Sequence, residues 1–524
     1  MNIQYKWLLI LMVFGIIACE SDDDSSVEEE VLITSGTADF STYVALGNSL
    51  TAGFTDGALF IEAQENSMSN ILAQQFALVG GGTFTQPLMS DNIGGALLGG
   101  TPILNPRFYF YSDPDPSPPN LSGPRLLGTT PTDNIPEMPT TEISTGLSGS
   151  FNNMGIPGAK SFHLLANGYG NIAGLPNLAN PYFVRMATDP NASVIEDAMA
   201  QNPTFFSLWI GNNDVLGYAL TGGDGTDPIT DTATFNGAYN ALVASLTSGG
   251  AKGVIANIPD VTSIAHFTTV PFAPLDPTNP SFGPLIPTLN GQFASLNGVF
   301  AFLNVPERSI QFATDAASAV VINDESLTNL SAEITQTLIA NNVDPGTAGV
   351  FGFLYGQARQ ANENDLLVLP SSSIIGQVNT DAVATLMGLG LPEATAGQLA
   401  VNGVTYPLED KWVLTPEEQA EIATATAAFN ATISAAAQQA GLAFVDANAL
   451  LVAASDGGTT FDEFLLQGNL VFGGLFSLDG VHPTARGYAF IANETMKAIN
   501  TTYGSNLPMV KAVDYPTFYS PMLQ

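Results

Sequence analysis

Largely apolar runs alternate along this chain with segments whose apolar residues recur at helical spacing. Residues 204–210 (TFFSLWI) and 253–258 (GVIANI) are such runs, and they are typical of strands buried on both faces of a sheet. Residues 42–46 and 442–446 are predicted to be further short strands, and residues 232–247 a helix. Strands alternating with helices indicate an α/β protein with a parallel sheet and helices on both of its faces.

Three more helices are predicted from periodicity and from signals at their ends. Residues 67–79 carry apolar side chains at helical spacing and are followed by three glycines. Residues 415–440 begin with Thr-Pro-Glu and stop before Gly441, which is the usual pattern of a helix start and a helix end. Residues 484–499 are predicted to form the last helix.

Two long stretches interrupt this alternation, at about residues 80–150 and 267–410. The first contains the sequence FYFYSDPDPSPPNLSGP, and the second runs from a Pro-rich loop through weakly helical pieces. Because the strand–helix pattern resumes after each, we interpret both as insertions into one domain of residues 41–505, followed by a tail of residues 506–524. Stretches of this length inside a compact fold usually have a function.

The N-terminus has the features of a secretory signal. An apolar run over residues 7–17 follows Lys6 and is too short to span a bilayer as a mature helix. Cys19 is the only cysteine, and it follows the sequence IIA in a way that resembles the bacterial lipobox. We therefore expect a lipoprotein signal peptide over residues 1–18 and a lipid on Cys19. The alternative is a chance cysteine near an ordinary cleavage site.

An acidic segment follows the cysteine. Residues 20–30 contain seven carboxylates, whose mutual repulsion prevents folding, and we assign residues 19–40 to a tether. An acidic run directly after a lipidated cysteine resembles the surface-export signal of lipoproteins from Bacteroidetes-type bacteria; the alternative is a simple spacer. The expected location is the outer membrane or the cell surface, with the membrane as a partner through Cys19.

The composition of the chain argues against several classes of function. The 524 residues include 48 acidic residues and 12 lysines or arginines, giving a formal net charge of −36. This balance argues against a nucleic-acid partner, because such a partner requires basic residues. One cysteine and three histidines argue against a disulfide framework and against a Cys- or His-rich metal centre. We expect neither a metal nor an organic cofactor.

Three short segments could carry chemistry, although each is weak alone. Ser49 lies in LGNSLTAG where the first strand ends, and a serine in a Gly-flanked strand-to-helix turn exposes its hydroxyl. Gly158 lies in NMGIPGA, and Asn213 lies in WIGNND after a buried strand, where open α/β sheets bind ligands. Taken singly, the first is usually just a turn, the second is better interpreted as a tight loop, and the third could equally be an Asx turn.

Near the C-terminus, Asp479 and His482 lie three residues apart in the sequence DGVHP. One turn can direct the carboxylate to Nδ1 of the imidazole and leave Nε2 free, which is the arrangement that activates a serine. His163 and His266 are interpreted as structural.

Together the four segments resemble the SGNH/GDSL hydrolases, a family named after its Ser, Gly, Asn and His. The resemblance implies that Ser49 is the nucleophile and that His482 is the base, oriented by Asp479. It also implies an oxyanion hole formed by Ser49, Gly158 and Asn213.

The resemblance covers residues 41–266 and 412–503 and leaves the insertions unexplained. It implies a three-layer α/β/α sandwich with a flavodoxin-like parallel sheet. The family usually has Asp before the nucleophile, whereas this chain has Asn48. Asn keeps an acceptor oxygen for a local turn bond, so we expect activity to be preserved.

The expected activity is therefore hydrolysis of an ester, of the lipase or esterase type, through an acyl-enzyme on Ser49. The expected substrate is an acyl lipid or an acylated glycan. A carbohydrate O-acetyl esterase and a catalytically inactive surface binding lipoprotein are the alternatives. The aromatic residues 108–111 (FYFY) are open to three interpretations: lining an acyl pocket, stacking on sugars, or packing.

Overall fold

The computed structural model describes residues 32–114, 122–128 and 138–523. The predicted signal peptide, Cys19 and most of the acidic tether lie outside the described residues. Among those described, no helix has the length and apolar character needed to span a bilayer.

The strands, in chain order, are β1 (Tyr43–Gly47), β2 (Ala96–Leu98), β3 (Thr101–Leu104), β4 (Phe108–Tyr111), β5 (Gly123–Leu126), β6 (Asn153–Gly155), β7 (Phe205–Trp209), β8 (Lys252–Ala256), β9 (Val321–Asn323), β10 (Ala358–Gln360), β11 (Leu366–Leu367), β12 (Val413–Leu414), β13 (Ala443–Val445), β14 (Thr459–Phe461) and β15 (Phe464–Leu466).

The α-helices are α1 (Ser49–Ala52), α2 (Ile61–Glu65), α3 (Met68–Ala77), α4 (Pro181–Val184), α5 (Val194–Met199), α6 (Asn213–Leu220), α7 (Thr232–Thr247), α8 (Ala265–Thr268), α9 (Ile286–Phe302), α10 (Ser331–Ala340), α11 (Pro345–Tyr355), α12 (Thr380–Gly388), α13 (Glu393–Leu399), α14 (Pro416–Ala440), α15 (Ala447–Ser455) and α16 (Ala485–Tyr503).

Five strands form a parallel sheet in the order β13, β8, β7, β1, β6. Counted along the chain within the sheet, this order is 2-1-3-4-5 when read from the β6 edge. Every residue of β1 and β7 is buried, because both strands lie in the interior of the sheet. The predicted α/β class with a parallel sheet is confirmed.

The long helices pack beside this sheet. Helix α14 packs against α7, and α16 packs against α3. Phe429 of α14 stacks on Phe235 of α7, with their ring centroids 4.0 Å apart. The start and end signals of α14 act as predicted: Thr415 and Glu418 form a capping box, and Gly441 closes the helix in the left-handed conformation.

Buried apolar side chains form two large clusters. The first surrounds the parallel sheet and includes Val44 and Phe206. The second consists only of residues between 270 and 413, with Phe293 and Leu354 among them. Residues 270–413 therefore have a hydrophobic core of their own, to which helices α9 to α13 contribute.

The folded unit extends beyond the predicted bounds of 41–505 at both ends. Phe40 is buried and stacks on Phe76, with ring centroids 4.0 Å apart. In the C-terminal segment, Leu507, Ala512 and Tyr519 are buried as well. The predicted tether and the predicted tail therefore each include apolar side chains that pack onto the domain.

Two antiparallel strand pairs, β2–β3 and β4–β5, lie within the stretch of residues 80–150. The aromatic segment predicted from sequence is strand β4. Tyr109 is buried in a small cluster with Ile93 and Leu127, so at least this side chain serves in packing.

Candidate active site

Ser49, His482 and Asp479 meet where the first strand of the sheet ends. The His482 Nε2 atom lies 2.9 Å from Ser49 Oγ, and His482 Nδ1 lies 2.9 Å from Asp479 Oδ2. The structure thus joins an acid, an imidazole and a serine in the order that lets the imidazole remove the hydroxyl proton. These three residues come from opposite ends of the chain, and the fold brings them together.

Two glycines allow the sharp turn that presents Ser49. A Cβ atom on Gly47 would overlap the Thr51 hydroxyl and the carbonyl of Trp209, and one on Gly155 would overlap the backbone of Ala52. Because both positions lack a side chain, the short helix α1 can lie directly against β1 and β6. The nucleophile is then held at the first position of α1, immediately after the strand.

Asn48 caps this short helix. Its Oδ1 accepts a hydrogen bond from the Leu50 amide at 3.0 Å, and its Nδ2 donates to Asn212 Oδ1 at 3.4 Å. The first bond is the local turn bond expected from the sequence. The second links the loop that bears Ser49 to the loop before α6.

The Asp479 carboxylate accepts five hydrogen bonds. Oδ1 accepts from the amides of Val481 and His482 and from the Ser477 hydroxyl, at 2.8, 2.9 and 3.0 Å. Oδ2 accepts from the Gly57 amide at 2.8 Å and from the imidazole. Burial alone would raise the pKa of Asp479, but the His482 charge and these donors hold it well below its ordinary value.

A turn at residues 55–58 fixes the acid from the other side, and the sequence analysis missed it. The Asp56 amide donates to Ser477 Oγ, and the Asp56 carboxylate accepts from the Leu478 amide, both at 3.0 Å. Asp56 and Gly57 have φ angles of 52° and 76°. An Asp-Gly pair is the usual sequence signal for a turn with two positive φ angles, so this turn was detectable, although its contact with Asp479 was not.

The imidazole is also packed by its neighbours. The Phe54 ring centroid lies 4.6 Å from that of His482. The Thr55 hydroxyl donates to the carbonyl of Pro483 at 2.9 Å, and the Tyr488 hydroxyl donates to the carbonyl of Phe54 at 2.7 Å. The base is therefore held in one orientation without substrate.

Gly158 and Asn213 lie next to each other on neighbouring loops. The Asn213 side chain donates to the carbonyl of Ala159, the residue after Gly158, at 2.9 Å. Gly158 is exposed with a φ of 79°, and Asn180 Nδ2 donates to the Pro157 carbonyl at 2.8 Å. A primary amide has two N–H groups, so Asn213 retains one for another acceptor while it positions this loop.

A small cavity of about 90 Å³ adjoins the nucleophile. Its polar lining comes from Ser49, His482, Asn213 and two further asparagines, and the rest is apolar, with Leu216 and Ile264 among the lining residues. The cavity is much smaller than the ~300–1,000 Å³ of typical ligand sites. It therefore has room for only a short apolar group beside the serine.

A larger cavity of about 1520 Å³ lies between the second insertion and the catalytic loop. Asp479, His266 and Phe108 line it, but Ser49 and His482 do not. The larger cavity thus lies beside the acid and not over the nucleophile. For this reason the small cavity is the better candidate for the reacting group.

The other two histidines are placed differently: His163 bonds to the Lys160 loop, whereas His266 lies beside Asp479, whose charge partly offsets the effect of burial on the pKa of His266. His163 Nδ1 accepts a hydrogen bond from the Lys160 amide at 3.0 Å, and its ring stacks on Tyr169. The backbone amide of His266 donates to the Gly480 carbonyl at 2.9 Å. Burial lowers the pKa of both imidazoles to about 4, which keeps them neutral and agrees with their structural interpretation.

Comparisons with models of known protein families, with curated proteins and with solved structures gave no match. The chemistry of the site therefore has to be argued from its geometry. A serine hydroxyl held by an imidazole and a carboxylate, beside backbone and amide donors, is suited to nucleophilic attack on a carbonyl.

Proposed function

We propose that this protein is a serine ester hydrolase of the SGNH/GDSL type that forms an acyl-enzyme on Ser49. The observation that carries the proposal is the pair of 2.9 Å contacts joining Ser49 to His482 and His482 to Asp479. Ser49 follows β1 and Asn213 follows β7, and these two strands are neighbours. In a sheet of order 2-1-3-4-5 this is the switch point where ligands bind.

The same strand order supports the finer description of the fold. It is the order of flavodoxin-like sheets, and the separate helix pairs α7–α14 and α3–α16 suit a three-layer α/β/α sandwich. In this proposal the stretches at about 80–150 and 267–410 are insertions into that sandwich.

The reaction begins when His482 Nε2 accepts the hydroxyl proton and Ser49 Oγ attacks the acyl carbonyl. Asp479 stabilises the imidazolium, and the amides of Ser49 and Gly158 together with the Asn213 side chain bind the oxyanion. Collapse of the tetrahedral intermediate expels the alcohol, which takes its proton from His482. Water, deprotonated by His482, then attacks the acyl-enzyme and releases the acid.

The size of the cavity beside Ser49 favours a short acyl group. About 90 Å³ of mostly apolar space suits an acetyl or butyryl chain better than a long fatty acyl chain. The neighbouring cavity of about 1520 Å³ offers space for a large leaving group. The larger cavity therefore supports a second candidate beside the general esterase or lipase, namely a carbohydrate O-acetyl esterase.

The proposal is tested with purified protein on p-nitrophenyl acetate, butyrate and palmitate and on acetylated xylan. Ser49→Ala and His482→Ala should each lower kcat by roughly 10⁴-fold or more, and the double variant should lose little further, since the two act as one unit. Ser41→Ala changes an exposed serine just before β1 and should turn over like wild type. Wild-type turnover in Ser49→Ala would sink the mechanism.

The same assays address the catalytically inactive binding lipoprotein. Asn48, which stands where the family usually has Asp, motivates that alternative. No turnover of any ester by the wild type, together with a strong gain in Asn48→Asp, would support it. Preference for acetylated xylan over the p-nitrophenyl esters would instead support the O-acetyl esterase.

We also propose that the mature protein is a lipoprotein anchored through Cys19 in the outer membrane or at the cell surface. Cleavage before Cys19 leaves 524 − 18 = 506 residues, and two or more acyl chains give stable attachment where one would be marginal. Cys19→Ser should release the protein into the soluble fraction or block processing. A Cys19→Ser protein that is processed normally and stays in the membrane fraction would contradict the anchor.

A further inference from the structure

Three carboxylates meet where the second insertion joins the sheet domain. One oxygen from each of Glu325, Asp410 and Glu418 lies within 4.8 Å of the others. Glu325 follows β9 and Asp410 ends the second insertion, whereas Glu418 lies in the first turn of α14. The cluster therefore contains residues from the second insertion and from the sheet domain.

Two of these three residues have a buried carboxylate oxygen with no hydrogen-bond partner. Glu418 is only 4% exposed; its Oε2 accepts from the amide and hydroxyl of Thr415, at 2.7 and 2.8 Å, but its Oε1 accepts nothing. Asp410 Oδ1 is equally buried and unpartnered. An unsatisfied buried carboxylate oxygen is costly, so these two atoms indicate a missing partner.

The surrounding charges do not supply that partner. Among the described residues, the ion pairs give none of the three carboxylates a cation, and the nearby Lys411 pairs with Glu409 at 2.6 Å. Ionised carboxylates are acceptors only, so the side chains of Asp410 and Glu325, which lie in hydrogen-bonding contact, repel each other unless one of them carries a proton.

We propose that Glu325, Asp410 and Glu418 bind one divalent cation through oxygen ligands, with Ca²⁺ preferred to Mg²⁺. The ligand set contains no sulfur or nitrogen, which suits a hard cation. Mg²⁺ dehydrates reluctantly and usually keeps several waters beside one or two carboxylates, whereas Ca²⁺ accepts more protein oxygens. Three carboxylates with one oxygen of each within 4.8 Å of the others therefore favour Ca²⁺. Water and main-chain oxygens would complete its coordination.

A glycine pair closes one side of the cluster. A Cβ atom on Gly222 would overlap the carbonyl of Asp410, and one on Gly223 would overlap the Glu418 carboxylate. Only glycine lets the loop after α6 approach so closely, which brings a third segment against the site. A cation here would fix the second insertion to α14 and to this loop, and its role is to position the insertion and stabilise the junction.

This site revises the expectation of no metal. That expectation was based on the small number of cysteines and histidines. A site built only from carboxylates is not revealed by counting those residues. Glu325 precedes Asp410 by 410 − 325 = 85 residues, so only the fold brings it to the other two. The proposal is independent of the esterase function.

The test uses purified full-chain protein freed of metal with EDTA and titrated calorimetrically with CaCl₂ or MgCl₂. Ca²⁺ should bind at one equivalent and raise Tm, because a ligand specific for the folded state stabilises it. Glu418→Gln and Asp410→Asn should each weaken Ca²⁺ binding at least tenfold. Glu417→Gln, which changes the exposed neighbour of Glu418, should bind like wild type.

Stability supplies the second readout. Removing one charge relieves repulsion in the empty site, so Glu418→Gln should have a higher Tm than wild type in EDTA and a lower Tm than wild type in Ca²⁺. A purely structural role would not reverse this order with the cation. Absence of saturable binding up to millimolar Ca²⁺, or equal binding by Glu418→Gln, would overturn the proposal in favour of carboxylates that share a proton. Tighter binding of Mg²⁺ would overturn the Ca²⁺ preference.

Discussion

The two sides of the candidate active site are built differently. On the acid–base side, the Asp479 carboxylate accepts five hydrogen bonds, and the His482 ring packs against Phe54. On the oxyanion side, Gly158 is exposed, and the described contacts of the Asn213 amide include one hydrogen bond, to Ala159. The acid–base side is held by many hydrogen bonds within the protein, whereas the oxyanion side retains an N–H donor for another acceptor.

This difference has a physical reason. The base must have one orientation and one tautomer before substrate arrives, so its supporting bonds can be made permanently. Oxyanion donors serve a charge that exists only during the reaction, and a donor already bonded elsewhere would be of no use. If the comparison is right, substitutions on the first side should disturb the proton transfer, and those on the second should disturb only transition-state binding.

The largest effect is expected from Asp479→Asn. An amide at this position favours the wrong imidazole tautomer, so kcat should fall by about 10⁴-fold with little change in KM. Ser477→Ala removes one of the five bonds to the same carboxylate and should cost less than about tenfold. Steady-state kinetics on p-nitrophenyl acetate measures both, and equal losses would mean that Asp479 acts only as a loop anchor.

The pH dependence of stability offers a second view of Asp479. Because its pKa is held below the ordinary value, the ionised carboxylate stabilises the fold above the unfolded pKa of about 3.9. That contribution disappears as the pH falls below this value and the carboxylate takes up its proton. The stability deficit of Asp479→Asn should therefore be largest near neutral pH and should shrink as the pH is lowered from about 4.

On the oxyanion side, Asn213→Ala should lower kcat by roughly 10²–10³-fold with a smaller change in KM, because the amide binds the transition state more strongly than the substrate. Asn180→Ser is the matched control. It removes the bond from Asn180 to Pro157 on the same loop, while serine can still cap α4. If both variants lost the same activity, Asn213 would be a positioning residue for the loop around Gly158.

Much of the sheet domain was predictable from sequence, because its elements are long or fully buried. Helix α7 matches the predicted residues 232–247, and α14 lies within the predicted residues 415–440. Strand β6 was missed, since three residues are too few to show a period. The strands and the hydrophobic core within residues 267–410 were missed for the same reason: these strands have two or three residues, and the core forms between helices distant in sequence.

The candidate active site shows the same difference between what the sequence predicts and what only the fold reveals. Ser49, Asp479 and His482 were identifiable because each lies in a short motif whose spacing has a chemical meaning. Asp56, Gly57 and Ser477 were not, because they act through tertiary contacts: Gly57 and Ser477 donate to Asp479, and the Asp56 amide donates to Ser477. The contacts made by Asp56 and Gly57 span more than 400 residues of chain. The sequence motifs identify the three candidate residues, and only the tertiary structure identifies the residues that hold them in place.

Asp56→Asn tests the support of the acid–base side. Burial raises the pKa of Asp56 to about 7, so the folded state favours the neutral carboxyl. The contribution of Asp56 to the free energy of unfolding is therefore fully present below about pH 4 and is lost as the pH rises through 7. Asparagine tolerates the positive φ and keeps the oxygen that accepts from Leu478, so the variant should gain stability over wild type as the pH increases from 4 to 8.

Chemical unfolding at several pH values measures this difference. Activity at neutral pH should change by less than about tenfold, because the bond from the Asp56 amide to Ser477 does not depend on the side chain. A wild type and variant with parallel pH profiles of stability would show that Asp56 is ionised in the fold and that the turn is held differently.

The smallest effect is expected from Asn48→Asp, which lies between the two sides. Aspartate keeps the acceptor for the Leu50 amide and loses the donor to Asn212, whose own amide can turn to donate instead. The new charge lies beside the nucleophile but outside the relay, since Asp479 already holds the imidazole. We therefore expect a change within about tenfold in kcat/KM on p-nitrophenyl acetate. A larger loss would show that the bond to Asn212 couples the Ser49 turn to the oxyanion loop, and the comparison between an independent acid–base side and an independent oxyanion side would then fail.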